Sequence, residues 1–291
     1  MKFFTNSLLL ISIFILSSSL TTAQSISIPD TLSGWDKSWT ASANGSQAAY
    51  DNWSQGGVSS ISGTASSVFT LLHRDGQFSY GFRTSLKYGQ SNIRDGGVRK
   101  TDDQISIRNR FNYLFRKDGS ISTYATIHFR TQFDKGYEYS DQAGKPNILI
   151  SRFMAPAYLS EGLGLSFSTS STFSLEAGLG LKQTFVTDDN LASVYGLERG
   201  ENFRSEGGLT TGINFEKEVF EDILYSSSLE TFTNLLIPVD ETDVFWSNEI
   251  VGKINSIVSA SFQFELRYDN DYSSELQVKQ VLSAGVSVSI Y

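Results

Sequence analysis

Between residues 78 and 89 the side chains change character at every step. Phe78, Tyr80, Phe82, Thr84, Leu86 and Tyr88 share one parity, and Ser79, Gly81, Arg83, Ser85, Lys87 and Gly89 share the other. Successive side chains of a strand point to opposite faces, so this stretch has one aromatic, apolar face and one small, polar and basic face. The alternation recurs along the chain. Ile105, Ile107, Phe111, Tyr113 and Phe115 oppose Ser106, Arg108, Arg110, Asn112 and Arg116. Phe173, Leu175, Ala177, Leu179 and Leu181 oppose Glu176, Gly178, Gly180 and Lys182, and Phe262, Phe264 and Leu266 oppose Gln263, Glu265 and Arg267. Asp75-Gly76, Asp118-Gly119 and Glu221-Asp222 read as tight turns between such runs. Pro156, inside the long segment from Ile148 to Ser168, predicts a bulge or bend because proline cannot donate to a ladder.

The strands number about twelve, and their connections alternate. Those after even strands are tight; those after odd strands are longer, as at Ser91 to Asp102, Gly136 to Asn147 and Asp188 to Arg204. Short turns at one end and long loops at the other are the rhythm of an outer-membrane barrel. The chain therefore predicts an all-β fold: an antiparallel up-and-down transmembrane β-barrel of about 12 strands, with short periplasmic turns and longer extracellular loops. The rival is a secreted soluble sandwich or lipocalin-like barrel. It would have to bury the apolar faces of nearly every strand in one interior, and it would show long charged side chains where this chain has Gly and Ser.

The first residues set the compartment. Lys2, the apolar run Leu8 to Leu16 and Thr21-Thr22-Ala23 before Gln24 form a secretory signal peptide over residues 1–23. Residues 24–37 read as a periplasmic N-terminal leader and 38–291 as the barrel, with a first strand from Ser38 to Gln47. Cell outer membrane is the expected location, and outer-membrane lipid the expected partner. No mature segment has the eighteen or so continuous apolar residues of a spanning helix, but a barrel strand needs only about ten residues of alternation.

Composition removes other classes. With no cysteine there is no disulfide, lipidated cysteine or thiolate site, and the two histidines, His73 and His128, are far apart in sequence. A formal charge of −8 without a basic run argues against nucleic acid. No cofactor or metal is called for; Asp188-Asp189 and the Asp269–Asp271 stretch read as solvated turn residues.

Several stretches together resemble an uncharacterised family. They are Trp35 with Trp39, Asn52-Trp53 with Gly56-Gly57, Ala155-Pro156-Ala157-Tyr158-Leu159 and the echo of Gly162-Leu163-Gly164-Leu165 in Gly178-Leu179-Gly180-Leu181. Tyr195-Gly196-Leu197-Glu198 with Gly200 and Arg204, Asp243 with Trp246, and Tyr268-Asp269 complete the set. The family is a domain-of-unknown-function outer-membrane β-barrel group of Bacteroidetes-type bacteria. The resemblance implies a barrel in the outer membrane and no particular activity; Tyr291 stands where Phe is usual.

The inward parity carries the candidate chemistry. Arg83, Lys87, Arg108, Arg110, Arg116, Arg130 and Arg152 come from early strands and predict a basic wall. Glu176, Glu206, Glu216, Glu230, Glu249 and Glu265 come from later strands and predict a facing acidic wall, with Lys182, Lys253 and Arg267 as exceptions. Held apart, the walls would impose a transverse field on water; brought together, Arg–Glu pairs would fill the lumen. The expected function is a narrow or gated pore or transporter for small polar solutes. The alternative is a non-conducting structural or assembly subunit whose long loops, especially Asp188 to Arg204 with Tyr195, bind a surface partner. An enzyme is not expected. There is no Gly-x-Ser-x-Gly elbow, His-Glu-x-x-His helix or Walker loop, and His128 with Ser122 or Ser106 is the nearest approach to a catalytic pair.

Overall fold

The computed structural model describes residues 26–49, 59–94, 96–115, 120–140, 146–170, 172–198, 200–269 and 273–290. The expected signal peptide, Asn52-Trp53, Arg116, the Asp118-Gly119 turn and Tyr291 lie outside the described residues. Among the described residues fourteen strands form: β1 (Gly34–Ala48), β2 (Ser60–Asp75), β3 (Phe78–Ile93), β4 (Gly97–Leu114), β5 (Ile121–Thr131), β6 (Gly136–Glu138), β7 (Ile148–Ser151), β8 (Ala157–Ser170), β9 (Phe173–Phe185), β10 (Phe203–Phe220), β11 (Ile223–Asn234), β12 (Asp243–Lys253), β13 (Val258–Asp269) and β14 (Ser273–Ser289). Twelve of them close into one barrel in sequence order, and β6 and β7 pair as a separate hairpin. All barrel pairings are antiparallel, and β1 closes the ring on β14 from Thr40↔Ser289 to Gly45↔Ala284.

The alternating parity translates directly into inside and outside, with the usual polarity of a soluble protein reversed. Leu163, Leu165 and Leu179 are 61, 58 and 60 % exposed, whereas Ser166, Ser228 and Ser79 on the opposite parity are 4, 1 and 1 % exposed. A wall of Leu, Phe and Ile would be costly in water, at about 25 cal/mol per Å² of apolar surface, so the outer face is built for lipid. Outward polar groups bond to each other across neighbouring strands: Tyr80 donates to Asn109 Oδ1 (2.9 Å), Tyr225 to Asn248 Oδ1 (2.8 Å), and Trp246 Nε1 to Ser227 Oγ (3.1 Å). Hydrocarbon offers these groups no other partner. Glu161 is a charged exception on this face, taking a hydrogen bond from Gln183 Nε2 (3.3 Å) near the loop end of β8.

Several local expectations resolve into specific geometry. The Gly-Leu-Gly-Leu echo is a pairing: Gly162 faces Gly180 and Gly164 faces Gly178 across β8 and β9. A Cβ at Gly164 would lie 2.7 Å from Gly178 Cα, so two facing glycines are what this close strand approach requires. The bend expected at Pro156 is a full break, with an isolated bridge between Arg152 and Ala155, a cis Ala155-Pro156 bond and a new strand from Ala157.

The long loop expected from Ser91 to Asp102 is not present. Ile93 and Gly97 are joined by a short turn in which Gly96 N–H donates to Ile93 O, and Gly97 takes φ 71°. The charged residues Arg99, Lys100, Asp102 and Asp103 sit on a strand that continues past the apolar belt, with a register shift near Gly89. β13 and β14 are likewise joined by a short connection, so longer loops follow some odd strands but not all.

A candidate functional site in the lumen

The barrel has a turn end, where β2–β3, β8–β9, β10–β11 and β12–β13 are joined, and a loop end. At the turn end the chain before β1 folds back into the barrel. Ile26 is buried, and a methyl placed on Gly81 would meet the side chains of Ile26, Ile28 and Leu72. The absent side chain of Gly81 thus makes the seat for Ile26. Arg74, buried at the end of β2, fastens the segment: Nε donates to Pro29 O (3.1 Å), and Nη2 donates to Ile28 O (3.1 Å) and Asp30 Oδ1 (3.2 Å). β1 itself begins at Gly34, four residues before Ser38.

At the loop end, Ala155, Val186, Leu191, Ala192, Tyr195 and Leu197 form a small apolar cluster. Tyr195 is buried there and donates to Ile150 O (2.8 Å), so its hydroxyl serves loop packing. Arg152 belongs to this cap and not to the lumen wall, because the break before Ala157 moves it off the barrel; it pairs with Asp188 (3.0 Å). The Asn190 backbone N–H and the Arg152 guanidinium hold the Asp188 carboxyl below its ordinary range.

Between these ends the lumen is crossed by charge pairs. Arg110 of β4 grips Glu176 of β9 with both terminal nitrogens (2.6 and 3.2 Å), and Arg108 reaches Glu230 of β11 (3.3 Å). These two pairs join the expected basic and acidic walls. The remaining predicted residues are arranged differently. Lys87 bonds to Asp102 (2.7 Å), and Lys279 of β14 reaches the same carboxylate (3.2 Å). Arg83 lies among Arg108, Glu249 and Glu216. Glu249 accepts from Gln263 (2.7 Å), Glu206 pairs with its neighbour Arg204 (3.0 Å), and Glu265 lines the cavity beside Glu249.

Sequence reasoning missed Asp102, Asp243 and Asp269 because it placed them in loops or at strand ends. Lys182, an exception on the acidic side, bridges Asp243 (2.5 Å) and Asp269 (3.4 Å). Arg267 also binds Asp269 (2.7 Å). The inward spacing of Asp243 from Phe245 and of Asp269 from Arg267 was the signal available.

Between these crosslinks, among the described residues, lie open-sided cavities that include ones of about 250, 150, 110 and 110 Å³. Ile26, Arg110, Glu176 and Asn214 line both the 250 Å³ cavity and the one at the turn end, so they stand at the boundary between them. Arg108 separates the largest from the second.

His128 does contact Ser106, with Nε2 2.9 Å from Oγ, but its Nδ1 lies 3.2 Å from Arg108 Nη2. A guanidinium only donates, so Nδ1 accepts and the ring proton sits on Nε2, directed at Ser106. A histidine so arranged cannot take the serine proton, and an arginine stands where a hydrolytic triad has its acid.

Residues 46–137 match the profile of a protein family of unknown function (DUF3078). The matched stretch runs from the end of β1 through β5 into β6. No curated protein matches the chain in sequence. Among solved structures, the translocator domain of the autotransporter NalP from Neisseria meningitidis is 11 % identical, with 89 % of this chain and 88 % of that chain covered and a TM-score of 0.43. An outer-membrane channel from Pseudomonas putida F1 is 8 % identical over 92 % of this chain and 99 % of that chain, TM-score 0.43. The monoaromatic hydrocarbon channel CymD is 12 % identical over 89 % of each chain, TM-score 0.37. The barrel assignment rests on the strand pairing itself.

Proposed function

We propose that this barrel is an outer-membrane pore for small polar solutes, held closed at rest by its own lumen. The observation that carries the reading is the partitioned interior: a cavity of about 250 Å³ bounded by the Arg110–Glu176 pair and by Ile26. The N-terminal segment seated at the turn end, with Ile26 against this cavity, supports a closed resting state. Residues 1–23 act as the export signal, and the turn end faces the periplasm with the N-terminal segment. Ion pairs between neighbouring walls can exchange partners as a solute passes, because carboxylates and guanidinia occur along the inner wall (Asp102, Glu249, Arg108, Glu230, Asp269).

Planar-bilayer recording of the purified protein tests this. Brief, low-conductance openings above a closed baseline are expected. Complete electrical silence of the native chain, of Arg74→Ala and of Glu176→Ala would overturn the pore reading and leave a structural barrel.

A further inference from the structure

The largest lumen cavity is lined by five cationic side chains, Arg108, Arg110, Arg130, Lys182 and Arg267, and by four carboxylates that point inward, Glu176, Glu230, Asp243 and Asp269. Glu161 also borders it through its strand, but its side chain is on the outer parity with Gln183. Each inward carboxylate is engaged by a cation: Glu176 by Arg110, Glu230 by Arg108, Asp243 by Lys182, and Asp269 by Lys182 and Arg267. His128 accepts at Nδ1 and adds no charge in this arrangement. The count leaves one cation over, five against four, and the geometry identifies it. Among the described residues Arg130 makes no hydrogen bond or ion pair; its guanidinium stacks on the Tyr158 ring, 5.1 Å from the centroid, and Arg267 lies over the same ring at 5.8 Å.

This half-buried guanidinium, set beside a second arginine, keeps its donors open to the lumen and available to an incoming acceptor. Its planar fork matches a carboxylate bidentately. A single surplus charge suits a monoanion; a dianion would need a second free cation. Tyr124, Tyr158 and Phe232 give the same cavity flat apolar walls, and the volume admits only a small molecule.

We infer that Arg130 is the binding centre for a small organic monocarboxylate with an apolar or aromatic body, the solute class that this pore takes up. The inference rests on the pore reading for its purpose but not for its test. Benzoate serves as the probe, with benzamide as its uncharged counterpart and inorganic phosphate as an anion without the apolar body. Titration calorimetry is done on the full barrel in detergent, each variant first checked for folded migration on an unboiled gel. Saturable benzoate binding is expected, at least tenfold weaker in Arg130→Gln and partly kept in Arg130→Lys, with benzamide and phosphate weaker than benzoate by a similar factor. Should Arg130→Gln fail to fold, the comparison is made with Arg130→Lys, where a measurable loss is still expected.

Benzoate binding that is absent from the folded native barrel, or unchanged in the Arg130 variants, overturns the site. Phosphate binding as tightly as benzoate overturns the monocarboxylate class. A barrel that binds benzoate through Arg130 yet never conducts refutes the pore and keeps the site. A barrel that conducts without Arg130-dependent binding does the reverse.

Discussion

Arg74→Ala opens the barrel at its turn end. The guanidinium donates to two backbone carbonyls of the N-terminal segment, Ile28 O and Pro29 O, as well as to the exposed Asp30 carboxylate. A hydrogen bond from a charged group contributes more than the usual ~1 kcal/mol, while the Asp30 contact is largely screened by solvent. Losing the carbonyl bonds therefore weakens the hold by about 2–3 kcal/mol, which changes the ratio of seated to unseated segment roughly 30- to 150-fold. Because Ile26 stands at the boundary between two lumen cavities, its departure joins them. Planar-bilayer recordings of Arg74→Ala should show openings more frequent by a comparable factor. Deleting Ile26 to Asp30 should give the same state permanently, and Gly81→Val should approach it by filling the seat of Ile26. Identical open probability in all four proteins would show that the segment is not a gate.

Glu176→Ala is expected to be the most damaging single change in the lumen. It leaves Arg110, whose bidentate partner is lost, with Asn112 Oδ1 and the face of Tyr124 as its remaining contacts. Breaking one half of a buried pair costs about 3–5 kcal/mol, since the surviving charge keeps its desolvation penalty. The double replacement Arg110→Met with Glu176→Met should regain most of that loss, because a neutral pair of similar volume removes both charges together. Urea titration of folding into lipid vesicles reads both values. A double variant no better than the single one would mean that Arg110 and Glu176 contribute through separate contacts. Asp188→Asn in the loop-end cap is the control, and should change stability little, because Arg152 is half-exposed.

Much of this fold was legible because a barrel wall imposes a period of two on every strand, and lipid on one side enforces it strictly. Phe78 to Gly89, Phe173 to Leu181 and Val258 to Tyr268 each followed it, and the twelve-stranded closed ring is their sum. The period holds only within the apolar belt. Beyond it β4 runs on through Arg99, Lys100 and Asp102, where both faces are polar, so a polar strand looked like a loop. Arg152 was misplaced for the opposite reason: Ile148 to Ser151 has strand character but pairs with β6 outside the barrel.

The lumen was legible as a set of charges and not as a set of pairs. Parity says which side chains point inward, but the shear of a closed barrel decides which of them meet. Arg110 lies 66 positions from Glu176, and Lys279 lies 177 from Asp102. The N-terminal segment gave almost no signal, because Ile26 and Ile28 are two apolar residues in a short polar stretch whose seat is a glycine fifty-odd positions away.

The central claim is that one parity of each strand faces acyl chains and the other faces the lumen. The chain has no cysteine, so a single one can be placed and labelled with a fluorophore. Leu165 and Ser166 are adjacent on β8, 58 and 4 % exposed. In vesicles carrying a nitroxide on the lipid tails, the label at Leu165→Cys should be strongly quenched and the label at Ser166→Cys should not. Equal quenching at the two positions, or none at Leu165→Cys in a folded and reconstituted protein, would contradict the account.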